Sequence, residues 1–453
     1  MSQSVVTVRS SQASIFGFVF TRLYGIVSFG LLCFIFAQFV LQVANPLPAH
    51  QLELVQDIAL PSALPVKFLP QIKNVPLNVD PLAPGVAVRY DHFDFQALDP
   101  NTGLLFIAHT GPSPDKFALG NPQFNPDKDS QVDGHVLVFD TRQNKITGRV
   151  DIPQVTGMVA APDLARIFAV DSHDNLIYSI DEHTLKFTAI DIGNNEGPDS
   201  IGYDQRDHIV TISDRGVPNP TNADPKNQNI SLIDTRTNHV TKINIGHLPL
   251  LPNEHVELAR WGYGIGHNYY DPGLQRLFVS IQQLTDQSNP NPPLPPASAA
   301  ELLSIDPVAK VITGRLALPS TCGMPHGMTI DTQQHIAFVA CTEIDPDHRL
   351  VQNLVRVDLR SMKVIPDPIL LLAIKPDIVA LDRSWHVLYV ACSMGISVFD
   401  VHGRTIHKLG DYILGKSTHT ITVNEVTHYI YLPLTDAGGR PTLRIARYNP
   451  DGV

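Results

Sequence analysis

The chain has 453 residues and a formal net charge of −11, with 43% hydrophobic and 17% charged residues. This composition allows a substantial core and argues against intrinsic disorder. The acidic balance and the lack of a Lys/Arg cluster argue against a nucleic-acid partner, which needs basic patches. The 37 prolines and 29 glycines suit a loop-rich all-β fold better than a helical bundle.

The N-terminal segment is predicted to be a membrane anchor. Residues 23–41 carry no charge, and the apolar character begins at Ile15, which is long enough for a helix to cross a bilayer. Arg9 and Arg22 precede this stretch, and the next basic residue is Lys67, so the positive-inside rule places the rest of the chain outside the cytoplasm. We interpret residues 1–14 as cytoplasmic, 15–44 as a transmembrane signal anchor and 45–87 as a linker with a closing strand. A cleaved secretory signal is the alternative interpretation.

A strand pattern recurs from about residue 88 to the end of the chain. Each unit has a hydrophobic second strand and a third strand that ends in Asp or Asn. The second strands are residues 105–108, 167–170, 209–212, 277–280, 337–340, 388–391 and 430–433, and the third strands end at Asp140, Asp181, Asp234, Asp306, Asp358, Asp400 and Asn449. Four short strands in units of about 40 residues are typical of propeller blades. The sequence therefore predicts an all-β, seven-bladed β-propeller over residues 88–453.

Closure of the ring is also predicted from the sequence. The last unit supplies only three strands before the chain stops at Val453. The segment IALPS at residues 58–62 matches the fourth-strand ending LALPS at residues 316–320. We therefore expect residues 51–61 to complete the last blade and remove its open edge.

Two of these repeat motifs resemble those of the YVTN-type, surface-layer-like β-propeller family. They are the second-strand motif Tyr389-Val390-Ala391 and the third-strand motif Ile233-Asp234-Thr235. The resemblance implies the propeller fold over nearly all of residues 88–450. It implies no single function, because a blade repeat reports how strands pack and not which ligand binds.

One face of the predicted propeller is favoured as the functional face. In a four-stranded meander, the first strand starts on the face where the second strand ends and the third begins. Large insertions fall in those second-to-third loops, at residues 109–134, 213–229 and 281–300, with a smaller one at 342–353. Binding sites usually develop on elaborated loops of a rigid scaffold.

The innermost strands begin on the same face, and each offers one residue to the central channel. In blade order these residues are Asp94, Thr156, Asp199, Gly266 or His267, His326, Asp377 and His419. Asp94, Asp199, His267, His326, Asp377 and His419 are the candidate ligand-binding residues. Imidazole and carboxylate groups are metal ligands and acid–base catalysts. His326, His419, Asp94 and Asp377 are therefore the candidate ligands of a divalent metal, and His326 and His419 are the candidate catalytic residues. The alternative interpretation is a water-filled channel with solvated polar residues.

Two further features bear on function. The segment Pro325-His326-Gly327 resembles one in streptogramin-lyase-type propellers, in which a His acts beside a metal. Cys322 and Cys341 flank the first hairpin of the fifth blade, where they form either a disulfide typical of an oxidising compartment or separate thiols.

Three functions are compatible with the sequence. The first is a membrane-anchored, extracytoplasmic binding or interaction module for an unknown small molecule or protein partner. The second is a metal-dependent lyase or lactone hydrolase with a His/Asp site at the channel mouth. The third is a structural protein of the cell envelope.

Overall fold

The computed structural model describes residues 52–61, 92–110, 134–216, 228–246, 265–282 and 300–449, apart from 153, 173, 195–196, 345–349, 404, 416–417, 436 and 438–439. Every regular element in these ranges is a β-strand. The predicted cytoplasmic segment and anchor, residues 1–44, lie outside the described residues. Within the described part of the chain, the structure has no helix that meets the length and hydrophobicity of a membrane span.

The strands are short, and neighbouring strands within each sheet pair antiparallel. The strands up to the third blade are β1 (Leu52–Ala59), β2 (Phe93–Asp99), β3 (Leu104–His109), β4 (His135–Asp140), β5 (Lys145–Asp151), β6 (Val155–Ala161), β7 (Arg166–Asp171), β8 (Leu176–Asp181), β9 (Phe187–Asp191), β10 (Pro198–Asp204), β11 (Ile209–Asp214), β12 (Asn229–Asp234) and β13 (His239–Asn244).

The remaining strands follow the same order. They are β14 (Ile265–Asp271), β15 (Arg276–Ile281), β16 (Glu301–Asp306), β17 (Val311–Ala317), β18 (Met324–Asp331), β19 (Ile336–Ile344), β20 (Leu350–Asp358), β21 (Lys363–Val364), β22 (Leu370–Leu371), β23 (Pro376–Asp382), β24 (Val387–Cys392), β25 (Gly395–Asp400), β26 (His407–Ile413), β27 (Thr422–Asn424), β28 (Tyr429–Leu434) and β29 (Thr442–Tyr448).

The described strands form seven sheets, which confirms the predicted seven-bladed propeller. From the innermost strand outward, blade one is β2–β5, blade two β6–β9, blade three β10–β13, blade four β14–β17 and blade six β23–β26. Blade five departs from the four-strand pattern, because its outer strand is divided into β21 and β22, which both pair with β20. Blade seven is β27–β29 with β1 as its outer strand.

The beginning of the chain closes the ring as the sequence predicts. Strand β1 pairs antiparallel with β29, from Leu52 opposite Tyr448 to Ala59 opposite Thr442. The next residue, Leu60, donates its backbone N–H to the carbonyl of Pro441 at 3.0 Å. The outer edge of β29 is thereby covered by a strand from the other end of the chain.

Leu60 also fills the space between the first and the last blade. Its side chain is fully buried and packs with Phe93 and Leu105 of blade one and with Tyr431 and Leu443 of blade seven. A propeller blade buries its faces only against its neighbours. This single leucine therefore contributes to the seam at which the ring closes.

Buried acids in the first hairpins join neighbouring blades. In the hairpin of blade four, Asp271 accepts hydrogen bonds from the backbone N–H groups of Gly273 and Leu274. Its second oxygen lies 2.7 Å from Nδ1 of His335 in blade five. The same contact joins Asp382 of blade six to His428 of blade seven, at 2.8 Å. These histidines are therefore structural.

The contact between blades one and two is formed by two acids and not by an acid and a histidine. The residue that corresponds to His335 is Ala165, and the Ala165 carbonyl accepts a hydrogen bond from the backbone N–H of Glu182. The buried Glu182 side chain accepts a hydrogen bond from Thr102 and lies beside the buried carboxyl of Asp99. Burial, followed by the charge of Asp99, raises the pKa of Glu182 to about 7. Two acids therefore meet where other blades pair an acid with an imidazole.

We predict that Glu182→Gln removes a pH-dependent loss of stability. The pKa of Glu182 is higher in the folded state than its ordinary value of 4.5. The stabilising contribution of Glu182 to the free energy of unfolding is therefore fully present below pH 4.5 and is lost as the pH rises through about 7. A glutamine amide keeps a donor toward Asp99 and carries no charge. The free energy of unfolding of E182Q at pH 8 should therefore exceed that of the wild type by about 1–2 kcal/mol. Urea unfolding at pH 5 and pH 8 measures this difference, and an equal pH dependence of both proteins would contradict the prediction.

Candidate functional site

The inner strands of blades one to six all carry a β-bulge near their first residues. In blade one, Phe93 pairs with His109 and Gln96 pairs with Ile107. The inner strand therefore advances by three residues where its neighbour advances by two, which is the extra residue of a bulge. The corresponding irregularity occurs in the other five blades. Bulges change the direction of side chains and are common near functional sites. The predicted channel residues of these six blades are the second and third residues of these bulged strands.

Two glycines that directly follow a channel residue of an inner strand allow neighbouring blades to approach closely. A Cβ atom on Gly327 of blade five would lie 1.6 Å from the carbonyl oxygen of Asp377 in blade six. A Cβ atom on Gly157 of blade two would lie 2.1 Å from the carbonyl oxygen of Asp199 in blade three. Any side chain would displace these strands. The two glycines therefore help to position Asp377 and Asp199 at the channel.

Three residues from blades four, five and six form the first group of candidate ligands. Nε2 of His326 lies 3.5 Å and Nε2 of His267 lies 3.9 Å from Oδ1 of Asp377. The His267 side chain is 1% exposed, whereas the His326 side chain is 34% exposed. We call His267, His326 and Asp377 the first triad. One ligand atom from each residue lies within 4.8 Å of the other two.

A second group lies between blades seven and one. Nε2 of His419 lies 3.5 Å from Oδ1 of Asp94, and the rings of His419 and His92 have centroids 4.8 Å apart. We call His92, Asp94 and His419 the second triad. Its ligand atoms also lie within 4.8 Å of one another. The backbone carbonyl of His92 accepts a hydrogen bond from the N–H of Thr110 at 2.9 Å, which continues the β2–β3 ladder beyond Phe93.

Asp377 connects the two triads through its second oxygen. Oδ2 of Asp377 lies 3.0 Å from Nδ1 of His419. Burial alone would lower the pKa of His419, but Asp377 and Asp94 outweigh it and raise this pKa well above its ordinary value. Burial also opposes the charge of Asp377, but His419 and His326 hold the pKa of Asp377 well below its ordinary value. His419 therefore lies between two carboxylates that favour its protonated form.

His267 has the opposite electrostatic character. Burial, followed by the neighbouring His326, lowers the pKa of His267 to about 3. Phe95 of blade one reaches across the channel and lies with its ring centroid 4.8 Å from that of His267. Nδ1 of His267 is buried and has no hydrogen-bond partner among the described residues. His267 is therefore a neutral imidazole, which is the form that binds metal ions.

Asp199 occupies the channel position of blade three but belongs to neither triad. It forms an ion pair with Arg215, whose guanidinium nitrogen lies 3.3 Å from Oδ1 of Asp199. Burial raises the pKa of Asp199 although Arg215 acts in the opposite direction. The guanidinium of Arg215 is 44% exposed. Asp199 and Arg215 thus form a separate charged pair at the channel mouth.

The channel continues along the inner strands, away from the triads. Phe95 and Gln96 contribute to a cavity of about 660 Å³ that extends past Ala97 and Leu98 of the same strand. The side-chain amide of Gln96 donates hydrogen bonds to Oγ1 of Thr420 and to the carbonyl of Tyr431. Because Thr420 follows His419 directly, these contacts help to hold the segment that carries His419.

A disulfide lies next to the strand that supplies His326. Cys322 and Cys341 are both buried and bonded, with their Cα atoms 4.9 Å apart. Cys341 pairs in the sheet with Pro325, the residue before His326. The disulfide therefore ties the entry of β18 to β19. Burial raises the pKa of the remaining described cysteine, Cys392, to about 12, so this thiol is unreactive.

The structure divides the predicted site residues into three sets. It brings His326 and Asp377 together with His267, and it brings Asp94 together with His419. The predicted four-residue cluster is thus two triads that meet at His419 and Asp377. Asp199 pairs with Arg215, and Thr156 is buried with its hydroxyl outside both triads.

Blade four contributes His267 to the site, and Gly266 cannot replace it. A Cβ atom on Gly266 would lie 2.3 Å from Oγ of Ser280 and 2.9 Å from the carbonyl of Pro325. The sequence left both residues open for this position. Sequence reasoning missed His92, which precedes the first strand of blade one, and it missed Arg215. The only available signal was the position of His92 two residues before Asp94.

Comparisons with known proteins show a similarity of fold alone. No protein-family model matches the sequence. No curated protein matches it either. Among the solved structures, Kuenenia stuttgartiensis hydrazine synthase matches with a TM-score of 0.57 and 12% sequence identity, over 80% of this chain and 98% of that chain. At this identity the likeness shows a shared propeller fold, and the membership of the YVTN-type family stays a prediction.

Proposed function

We propose that this propeller binds a divalent transition-metal ion in the first triad and uses it to bind and activate a small molecule at the channel mouth. Imidazole and carboxylate donors suit zinc and the other late first-row divalent ions. Bonds of about 2.1 Å to such an ion place neighbouring ligand atoms about 3–3.5 Å apart. The separations of 3.5 and 3.9 Å from Asp377 to His326 and His267 are close to this range.

The observation that carries the proposal is the unsatisfied Oδ1 of Asp377. This oxygen is buried and has no hydrogen-bond partner among the described residues, although Nε2 of His326 and Nε2 of His267 lie 3.5 and 3.9 Å from it. Burying an unpaired polar group costs about 1–3 kcal/mol. A metal ion held between Oδ1 of Asp377 and the two imidazoles would offset that cost.

The surroundings of the first triad favour an accessible ion over a purely structural one. His326 is one-third exposed, whereas His267 and Asp377 are largely buried. Three protein ligands leave coordination positions free, which is typical of catalytic metal sites. A metal ion in such a site acts as a Lewis acid toward a carbonyl or a phosphoryl oxygen. Lyases and lactone hydrolases are enzyme classes that use this chemistry.

We further propose that the propeller works outside the cytoplasm, held at a membrane by residues 15–44. The Cys322–Cys341 disulfide supports an oxidising compartment. The uncharged stretch at residues 23–41, with basic residues only before it, supports the same orientation.

An interaction module is the second candidate function. The connections between the second and third strands of blades one, three and four begin at residues 110, 215 and 282 and end at residues 134, 228 and 300. All three are far longer than the connections in blades two and six, and they start and end on the face that carries the triads. Long loops on a rigid scaffold favour binding of a ligand or a protein partner.

The metal content of the full-length protein tests the proposal. After removal of metals with EDTA and reconstitution with Zn²⁺ or Co²⁺, the wild type is expected to retain at least one equivalent through gel filtration. His326→Ala should weaken this binding about 100-fold, since loss of supporting residues alone costs 10–100-fold. His208→Ala is the matched control, because His208 is also 34% exposed and contacts an acid, Asp163, away from the triads. A wild type without stoichiometric metal, or an unaffected H326A variant, would leave the interaction module as the better account.

A further inference from the structure

We infer that the channel mouth holds two metal ions, the second bound by His92, Asp94 and His419. This inference rests on the proposed function, because it adds an ion beside the first triad. The second triad offers the same donors as the first, two imidazoles and one carboxylate. Its ligand atoms also lie within 4.8 Å of one another.

The two triads have no ligand residue in common. The first triad comes from blades four, five and six, and the second comes from blade seven and the start of blade one. Both triads are held by rigid elements. The carbonyl of His92 is fixed by the N–H of Thr110, and His419 stands between two fully buried residues, Thr418 and Thr420.

Asp377 links the two sites. Its Oδ1 faces His267 and His326 of the first triad, and its Oδ2 lies 3.0 Å from Nδ1 of His419. Nε2 of His419 faces Asp94, so an ion bound to Nε2 would leave Nδ1–H to donate to Oδ2 of Asp377, the carboxylate contact that orients a metal-bound histidine.

The acidic character of the channel mouth favours a second cation. Asp94, Asp199 and Asp377 all have side chains no more than 13% exposed. Arg215 pairs with Asp199. Asp94 faces His419 at 3.5 Å and lies beside His92. A divalent ion bound by these three residues would place its charge against the largely buried carboxylate of Asp94.

The experiment is a Co²⁺ titration of the metal-free, full-length protein, followed by the metal content after equilibrium dialysis. We expect two equivalents for the wild type and for His208→Ala. We expect one equivalent for His326→Ala, which retains the second triad, and one for Asp94→Asn and His92→Ala, which retain the first. Mn²⁺ electron paramagnetic resonance is a second readout: two neighbouring ions broaden the signal of the wild type, and a single ion in D94N does not.

The outcomes separate this inference from the proposed function. A wild type that binds one equivalent, lost in H326A and unchanged in D94N and H92A, would overturn the second site and leave the first in place. A wild type that binds no Co²⁺ would overturn both. Two equivalents that D94N and H92A leave unchanged would place the second ion elsewhere and would also overturn the inference.

Discussion

Replacing Asp377 with asparagine is expected to weaken metal binding at the channel mouth by about 100-fold or more, the largest functional effect in the molecule. Asparagine keeps the size of the side chain but removes the negative charge and one of the two ligand oxygens. The lost oxygen is one of the pair that faces His326 and His419 at 3.5 and 3.0 Å. Isothermal titration with Zn²⁺ measures the change in affinity.

Asp199→Asn is the matched control for this prediction. Asp199 has the same position in its inner strand and a similar exposure, 10% against 12% for Asp377. It pairs with Arg215 and belongs to neither triad. D199N should therefore bind Zn²⁺ within about threefold of the wild type, since the ligands of the ion are intact. Equal losses in D377N and D199N would mean that the general acidity of the channel attracts the ion, and the triads would lose their role.

Leu60→Ala is expected to cause the largest loss of stability, about 2–5 kcal/mol. The Leu60 side chain is fully buried between blades one and seven, so its truncation leaves a cavity where the ring closes. Leu54→Ala removes the same atoms from the closing strand itself, but Leu54 is 59% exposed. It should change stability by no more than about 0.5 kcal/mol. Urea unfolding followed by circular dichroism compares the two variants, and equal effects would contradict the role of the closing strand.

The fold was largely predictable from the sequence because the same strand motifs recur in every blade. Seven third strands ending in Asp or Asn fix the register of the blades, and the outer half of each blade follows from that register. The closing strand was predictable because residues 58–62 repeat a fourth-strand ending found at residues 316–320. The sequence reasoning did not predict the divided outer strand of blade five, although Pro366 and Pro368 lie between Val364 and Leu370 and proline has no N–H to donate to a strand ladder.

The site was predictable only as a ring of positions. Strand register places Asp94, Asp199, His326 and Asp377 at equivalent positions, and the structure shows them at the channel. Register alone cannot say which of them are in contact. That depends on the bulge near the start of each inner strand and on the approach of Gly327 to the Asp377 carbonyl.

Other features of the channel mouth and of the blade contacts lie outside the repeated motifs, and sequence reasoning missed them. His92 precedes the first inner strand, and Arg215 follows the second strand of blade three. The pairing of Glu182 with Asp99 arises because Ala165 lacks the imidazole that His335 and His428 supply at the equivalent turn position. These contacts become visible only when neighbouring blades are placed side by side.

Anomalous diffraction from crystals of the full-length protein soaked in Zn²⁺ tests the central claim most directly. Data collected on both sides of the zinc absorption edge locate the bound ion without reference to activity. We predict a peak within about 2.5 Å of Nε2 of His267, Nε2 of His326 and Oδ1 of Asp377, the bonding range of such ligands. A channel mouth without an anomalous peak, with zinc bound only to surface histidines elsewhere, would contradict the account.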